Sequence, residues 1–400
     1  MHGANINSVA PASHLLTHLL VMGRTVSAVV TSGDRCVGTV GPFAVDVPWW
    51  SEVEPVVAHL RGVLGVPAYV LRLLGVDRGD GMRNGHVTYH VEASGTTASL
   101  PAAILSTGDD PLRARWATAG GLRALFSWAC DTVSLTGPIE QRKTWNLAGL
   151  FRLPTADGPV WLKATPPFAT DEATVIAAFG AVDPTLVPAV LASAPGRLLL
   201  ADIPGEDCWH APDTVLASGI QRFVAAQSAV DTPPPGLMVR DKVTDEVSTL
   251  LERDLGLTAE EVAATRALLP RWAQLEDCGL PDTIVHGDFH SGNWRSDRGG
   301  PPVILDFADA FFGNPVIDGL RVADFLGAER GPAARAMWIE AWQAVRPDSD
   351  PARALVVGEP LAYLYHAVRY QEFLDGIEES ERIYHRGDPA SNIRAALACA

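Results

Sequence analysis

Covalent ties are scarce in this chain. Its 400 residues hold five cysteines, at positions 36, 130, 208, 278 and 399. The number is odd, the spacing is wide and no C-x-x-C occurs, so neither a disulfide framework nor a zinc site is indicated. Positive charge is also short: 31 lysines and arginines stand against 47 aspartates and glutamates, a formal net charge of -16. Nucleic-acid binders present a basic face, so that class is disfavoured. An acidic field attracts cationic small molecules, and it also serves solubility alone. No apolar run approaches the roughly 18 residues needed to span a bilayer. Residues 15–22 are interrupted by Thr17 and His18 and have no basic region before them, so no secretory signal is read. There is no internal repeat and no low-complexity tract. These absences leave a cytoplasmic, globular protein with no membrane or nucleic-acid partner. A hydrophobic fraction of 47% is ordinary for a packed chain. Four hundred residues suit two or three domains.

The chemistry is concentrated in one stretch. Residues 284–294 read Ile-Val-His-Gly-Asp-Phe-His-Ser-Gly-Asn-Trp, and residues 303–307 read Val-Ile-Leu-Asp-Phe. Short apolar runs precede Asp288 and Asp306, and such runs bounded by turn residues read as buried strands. Residues 295–302, rich in Gly, Pro, Ser and Asp, read as the turn of a hairpin between them. The hairpin would carry Asp288, Asn293 and Asp306 to one edge. Two carboxylates and an amide suit phosphoryl transfer. One carboxylate accepts or orients the proton of an attacking hydroxyl, while the amide and the other carboxylate offer hard oxygens to magnesium on nucleotide phosphates.

The order H-G-D-F-H-S-G-N, then I-L-D-F, then Gly313-Asn-Pro-Val-Ile-Asp318 closely resembles the catalytic segment of the aminoglycoside phosphotransferase and choline kinase group. These are small-molecule kinases with a protein-kinase-like fold. The resemblance implies that Asp288 is the catalytic base, that Asn293 and Asp306 hold Mg2+, and that His286 and Asp318 brace the loop. Asp309 either faces the substrate or lies in a solvated turn.

Upstream, residues 141–153 and 159–163 read as a hairpin around the turn 155–158. Lys163 closes the apolar strand Val-Trp-Leu-Lys. A buried strand rarely ends in an unpartnered ammonium, and a nucleotide phosphate is a fitting partner. The resemblance implies that Lys163 contacts the phosphates of ATP or GTP and pairs with Glu172, which opens the helix 171–181. No G-x-G-x-x-G is present; residues 143–149 hold one glycine, with Thr144 and Asn146 available for phosphate contacts. Residues 197–203 read as a buried strand running into a bend at Pro204-Gly205. By resemblance this is the hinge, whose main-chain groups at Ala201, Asp202 and Ile203 would hold the adenine edge.

The expected fold class is α+β: a bilobal protein-kinase-like fold preceded by an N-terminal α/β cap. The cap covers 1–110, the β-rich N-lobe and hinge 111–205, and the helical C-lobe 206–400. Residues 1–12 read as a flexible leader. Strands are expected at 25–30, 37–40, 68–74 and 86–91, with a helix over 49–64 ended by Gly65. This order faintly resembles a Nudix hydrolase domain. The last three glutamate positions of that pattern are His59, Gly62 and Val63, so its metal chemistry is missing. The capped maltokinase branch of the kinase superfamily is the rival resemblance. His86 and His90 read as paired surface histidines, and 94–111 as a linker whose stretch 100–105 packs on a domain surface. A helix is expected over 122–133.

In the C-lobe, Leu216, Ile220, Phe223 and Val224 stripe one helix, and Thr258 with Glu261 reads as a capping box opening a helix through 275. Further helices are expected at 320–325, 332–345 and 352–374. Glu359, Tyr363, His366, Tyr370 and Glu372 offer acceptor-binding chemistry but also fit the polar side of a core helix. The acidic run 378–381 reads as a solvated face. The expected activity is transfer of the γ-phosphoryl group of ATP or GTP to a hydroxyl of a small-molecule acceptor. An aminoglycoside-like or other antibiotic comes first, a metabolic sugar or amino sugar second, and a nucleotide-binding pseudokinase third.

Overall fold

The computed structural model describes residues 23–105, 110–240 and 243–400. The expected leader 1–12 and the segment 15–22 lie outside the described residues.

The first hundred residues alternate apolar and polar side chains in short runs separated by glycine. They form β1 (Arg24–Ser32), β2 (Arg35–Val45), α1 (Glu54–Leu64), β3 (Tyr69–Asp77) and β4 (His86–Glu92). The sheet order is β2-β1-β4-β3, with β1 and β4 parallel and the other pairs antiparallel. Val26, Ala28 and Val30 of β1 and Val87, Tyr89 and Val91 of β4 pack against Val56, Val57, Leu60 and Leu64 of α1. The helix starts at Glu54, five residues later than expected, with Pro55 in its first turn and Gly65 closing it at φ 70°. His90 departs from the surface reading. It is buried, its Nε2 lies 2.9 Å from Thr31 Oγ1, and burial pushes its pKa down to about 4. The face that His90 shares with its cross-strand partner Arg72 is covered as well, by Glu378 and Arg113.

Next come α2 (Ala119–Cys130), capped by Thr118, and then β5 (Glu140–Trp145), β6 (Ala148–Thr155), β7 (Gly158–Ala164), α3 (Glu172–Val182), β8 (Val190–Ala194) and β9 (Arg197–Ala201). The strands make a five-stranded antiparallel sheet, β5-β6-β7-β9-β8. The expected long strand 141–153 is two strands, because the chain turns at Asn146-Leu147 and pairs Trp145 with Ala148. β8 carries no clear apolar run and was not expected.

The rest is mainly helical: β10 (Glu206–Asp207), α4 (Asp213–Ser228), β11 (Val239–Arg240), α5 (Thr244–Leu250), α6 (Ala259–Leu268), α7 (Arg271–Glu276), β12 (Thr283–Val285), β13 (Trp294–Ser296), β14 (Val303–Ile304), β15 (Phe311–Gly313), α8 (Val316–Val345), α9 (Pro351–Gly376) and α10 (Asp388–Ala398). The Thr258 and Glu261 capping box is formed, but the helix breaks before Arg271, where Pro270 cannot continue it. Gly327, at φ 66°, kinks α8. One large core joins α3, α4, α8 and α9 and encloses Trp294, Trp338 and Trp342.

Residues 284–307 do not form one hairpin. β12 pairs with β15, and β14 pairs with β13. Two short ribbons therefore lie near one another, and each presents one acidic loop.

The N-terminal sheet is fastened to the rest at two places. Val70 of β3 exchanges two 2.7 Å bonds with the Gln141 side chain of β5. From the other end of the chain, Glu378 takes Arg72 at 2.7 Å and Arg113 at 3.0 Å, and Glu381 accepts from Leu73 N at 2.6 Å. The run 378–381 is thus not a solvated face: Glu378 and Glu381 are buried and Glu379 is exposed. Their partners are too remote in sequence for a local charge pattern to reveal. Among the described residues, no helix is long and apolar enough to cross a membrane.

Candidate active site

Ile284 and Val285 are fully buried in β12, and this strand delivers His286, Gly287 and Asp288 to its end. Gly287 has φ 82°, and a Cβ there would stand 2.4 Å from Asp309 O, so the turn needs glycine. Asp318, in the first turn of α8, stitches the loop down. It accepts His286 N at 2.9 Å, Gly287 N at 3.1 Å and Gln227 Nε2 at 2.9 Å. Burial still pushes its pKa up, to about 7, against those three donors. His286 is buried; its Nε2 lies 2.9 Å from Leu305 O, linking the two loops, and burial lowers its pKa. Both residues brace the loop by direct bonds.

Asp288 is ringed by donors. Asn293 Nδ2 donates to its carbonyl at 3.0 Å and to Oδ2 at 3.2 Å, and His290 Nε2 lies 3.3 Å from Oδ2. Arg321 Nε reaches Oδ1 at 2.8 Å. Burial favours the neutral acid, but Arg321 and His290 prevail and hold the carboxyl well below the usual range. Asp288 is thus an ionised carboxylate at neutral pH.

Asp306 follows Leu305, whose N donates to Asn293 O at 2.8 Å. It has φ 65°, a left-handed backbone that a non-glycine residue adopts at a cost. Its Oδ1 meets Lys163 Nζ at 2.7 Å, and the same nitrogen lies 2.7 Å from Glu172 Oε1. Glu172 Oε2 accepts Phe307 N at 2.9 Å. Burial alone would lower the Lys163 pKa, but the two carboxylates raise it, so the ammonium stays charged. Lys163, Glu172 and Asp306 therefore form one bonded set and Asn293 with Asp288 another, and the main chain of Leu305 ties the two together.

At the hinge, Ala201 N donates to Ala189 O at 2.9 Å, and Ile203 O accepts Arg295 Nε at 3.1 Å. Trp161 Nε1 donates to Asp202 at 2.7 Å. These bonds fix the linker between the lobes and already occupy part of its main chain. Thr144 and Asn146 are buried. Asn146 lines a small cavity with Leu71, Trp116 and Glu378, so the β5–β6 tip packs beneath the N-terminal sheet.

Of the possible acceptor residues, Tyr370 hydrogen-bonds Arg321 and His366 lies buried near it. Glu372 is held by Arg240 and Arg369, and Glu359 by Arg335. Tyr363 OH stands 3.4 Å from Asp324. Asp309 is not freely solvated, because Arg369 grips it at 2.8 and 3.0 Å. The residues missed in sequence are Arg321, His290, Phe325 and Trp209. His290 and Phe325 rings stack at 4.1 Å, and Trp209 stacks on His290 at 5.1 Å. A signal for Arg321 existed: three residues past Asp318 on a helix, it shares that residue's face.

The donor set fits magnesium. Asn293 commits its nitrogen to Asp288, which leaves Oδ1 as its ligand atom, and Asp306 is half-exposed on the cleft. Among the described residues, no three His, Cys, Asp or Glu side chains gather as a metal site. Magnesium held by two protein oxygens and completed by phosphate and water needs no such cluster.

A family model described as the phosphotransferase enzyme family matches residues 142–355, more than half of the chain. No curated protein sequence matches. Among solved structures, choline kinase from Streptococcus pneumoniae shares the fold at TM-score 0.52 and 10% identity, over 68% of this chain and 99% of its own. A macrolide 2′-phosphotransferase from Brachybacterium faecium gives TM-score 0.49 and 19% identity, over 67% and 97%. A choline/ethanolamine kinase family protein from Mesorhizobium loti gives TM-score 0.49 and 17% identity, over 69% and 98%.

Proposed function

We propose that this chain, which belongs to the phosphotransferase enzyme family, transfers the γ-phosphoryl group of ATP or GTP to a hydroxyl of a small polyhydroxylated acceptor. The carrying observation is the buried Lys163, bonded at 2.7 Å to both Glu172 and Asp306. A lysine so placed has no further structural partner to seek, and it lies where nucleotide phosphates would replace one of its carboxylates.

In this reading Asp288 accepts the bond of the acceptor hydroxyl and orients it, taking the proton as the new P–O bond forms. Its depressed pKa suits orientation more than strong basicity, in keeping with the loose transition states of phosphoryl transfer. Asn293 and Asp306 would hold magnesium, which supplies positive charge to the phosphates when bound. Lys163, set by Glu172, neutralises phosphate oxygens. The base is received by the part of the main chain of Ala201 and Ile203 that the bonds to Ala189 and Arg295 leave over, and His286 and Asp318 keep the loop rigid. The N-terminal sheet, the N-lobe and the helical lobe act as one braced unit. Its five free cysteines agree with a reducing, cytoplasmic setting.

The acceptor is either an aminoglycoside-like or other antibiotic or a metabolic sugar. The test is diphosphate release with magnesium and ATP or GTP against both acceptor sets, with Asp288→Asn as control. Nucleotide binding without turnover on any acceptor would favour a pseudokinase.

A further inference from the structure

One cation beside Asp288 has no part in the roles above. Arg321 sets both Nε and Nη2 on Asp288 Oδ1, at 2.8 and 2.7 Å. Its guanidinium carbon lies 4.5 Å from the centre of the Phe325 ring, and it hydrogen-bonds Tyr370. Its side chain is 19% exposed beside an Asp288 that is 27% exposed, so solvent reaches both.

Arginine keeps its charge at every working pH. Asp288 balances that charge and Asp324 also feels it, so what an incoming ligand meets is the positive edge of an ion pair. His366 is held neutral by burial, with the charge of Arg321 adding to the effect. Asp324, the next carboxylate along α8, points to Tyr363 and Arg335. Asp288 is the pair itself, and it is also the group that must receive the acceptor hydroxyl. A hydroxyl seated on Asp288 therefore brings its neighbouring substituent beside a guanidinium, where like charge is penalised and an oxygen is welcomed.

We propose that Arg321 sets the acceptor class: the reacting hydroxyl belongs to a molecule that is neutral or carries an oxyanion beside that hydroxyl, a sugar or sugar acid, and not an ammonium. This rests on the kinase reading and narrows its acceptor. Arg321 is a specificity residue that meets the substituent beside the reacting hydroxyl.

The test measures kcat and KM for glucose, glucuronate and glucosamine, and for the matching galactose series, at saturating magnesium nucleotide. Wild type is compared with Arg321→Gln and Arg321→Lys. Wild type is expected to prefer the neutral or acidic member in kcat/KM, mainly through KM. Arg321→Gln is expected to shift the ratio towards the amino sugar by roughly tenfold or more, and Arg321→Lys to keep the wild-type order. A purely structural arginine would lower all three acceptors together, and an unchanged ratio overturns the inference alone. Wild-type preference for the amino sugar overturns it too. Absence of turnover on every acceptor removes the kinase reading and this inference with it. If Arg321→Gln fails to fold, the wild-type order and Arg321→Lys decide.

Discussion

Lys163 Nζ stands 2.7 Å from Asp306 Oδ1, joining β7 to the loop after β14 across the cleft. The same ammonium holds Glu172 at 2.7 Å, so one cation answers two carboxylates. Replacing Lys163 by methionine leaves Glu172 buried without its counter-charge. Removing one partner of a buried pair costs about 3 kcal/mol or more. Lys163→Met is therefore expected to lower the melting temperature and to abolish turnover. Retained nucleotide affinity in a calorimetric titration would take the lysine out of the nucleotide site.

Asp306 pairs with the lysine in the free protein, and on the proposed reading it would turn to the metal in the loaded one, so nucleotide and magnesium should bind as a unit. Magnesium with nucleotide is expected to raise the melting temperature well beyond nucleotide with a chelator. Asp306→Ala should erase that difference. A metal-independent shift equal in both proteins would contradict the assignment of Asp306.

Asp318→Ala strands three buried donors, at His286 N, Gly287 N and Gln227 Nε2. Each unmade bond costs about 1–3 kcal/mol, so the loss should be about 3 kcal/mol or more. Gln227→Ala removes one of the three donors and should cost less. Denaturant titration of both variants gives the order, and a smaller loss for Asp318→Ala would refute the bracing role.

Glu381 is pushed by burial from the ordinary 4.5 up to about 8, while it holds Leu73 N at 2.6 Å. Between those pH values the folded chain binds a proton that the unfolded chain has lost. This contribution is fully present below the unfolded pKa and disappears as pH rises through about 8. Melting temperature should fall between about pH 5 and 8 and level off above that, and Glu381→Gln should fall less steeply. Parallel curves for the two proteins would assign the titration to another group.

Much of the fold was legible because its signals are local. Strands β1, β3, β4 and β7 follow apolar alternation, α1 ends at a glycine with positive φ, and Thr258 with Glu261 caps its helix. The site was legible because Asp288, Asn293, Asp306 and Asp318 fall within one short stretch. Long-range features were not. The pairing of β12 with β15 follows from the folded core and not from the apolar runs at 284 and 303. Glu378 and Glu381 looked solvated because Arg72 and Leu73, their partners, lie at the other end of the chain. His90 looked exposed because alternation cannot say that residues from elsewhere in the chain cover the sheet's second face. Arg321 was within reach of helical spacing from Asp318, but an arginine on a helix is usually a surface residue.

The most direct measurement is magnesium-dependent release of nucleoside diphosphate with and without acceptor, for wild type and Asp288→Asn. The account predicts acceptor-dependent release that falls about a thousandfold in the variant, with folding and nucleotide binding intact. Equal release by both proteins would contradict the role of Asp288 and, with it, the proposed site.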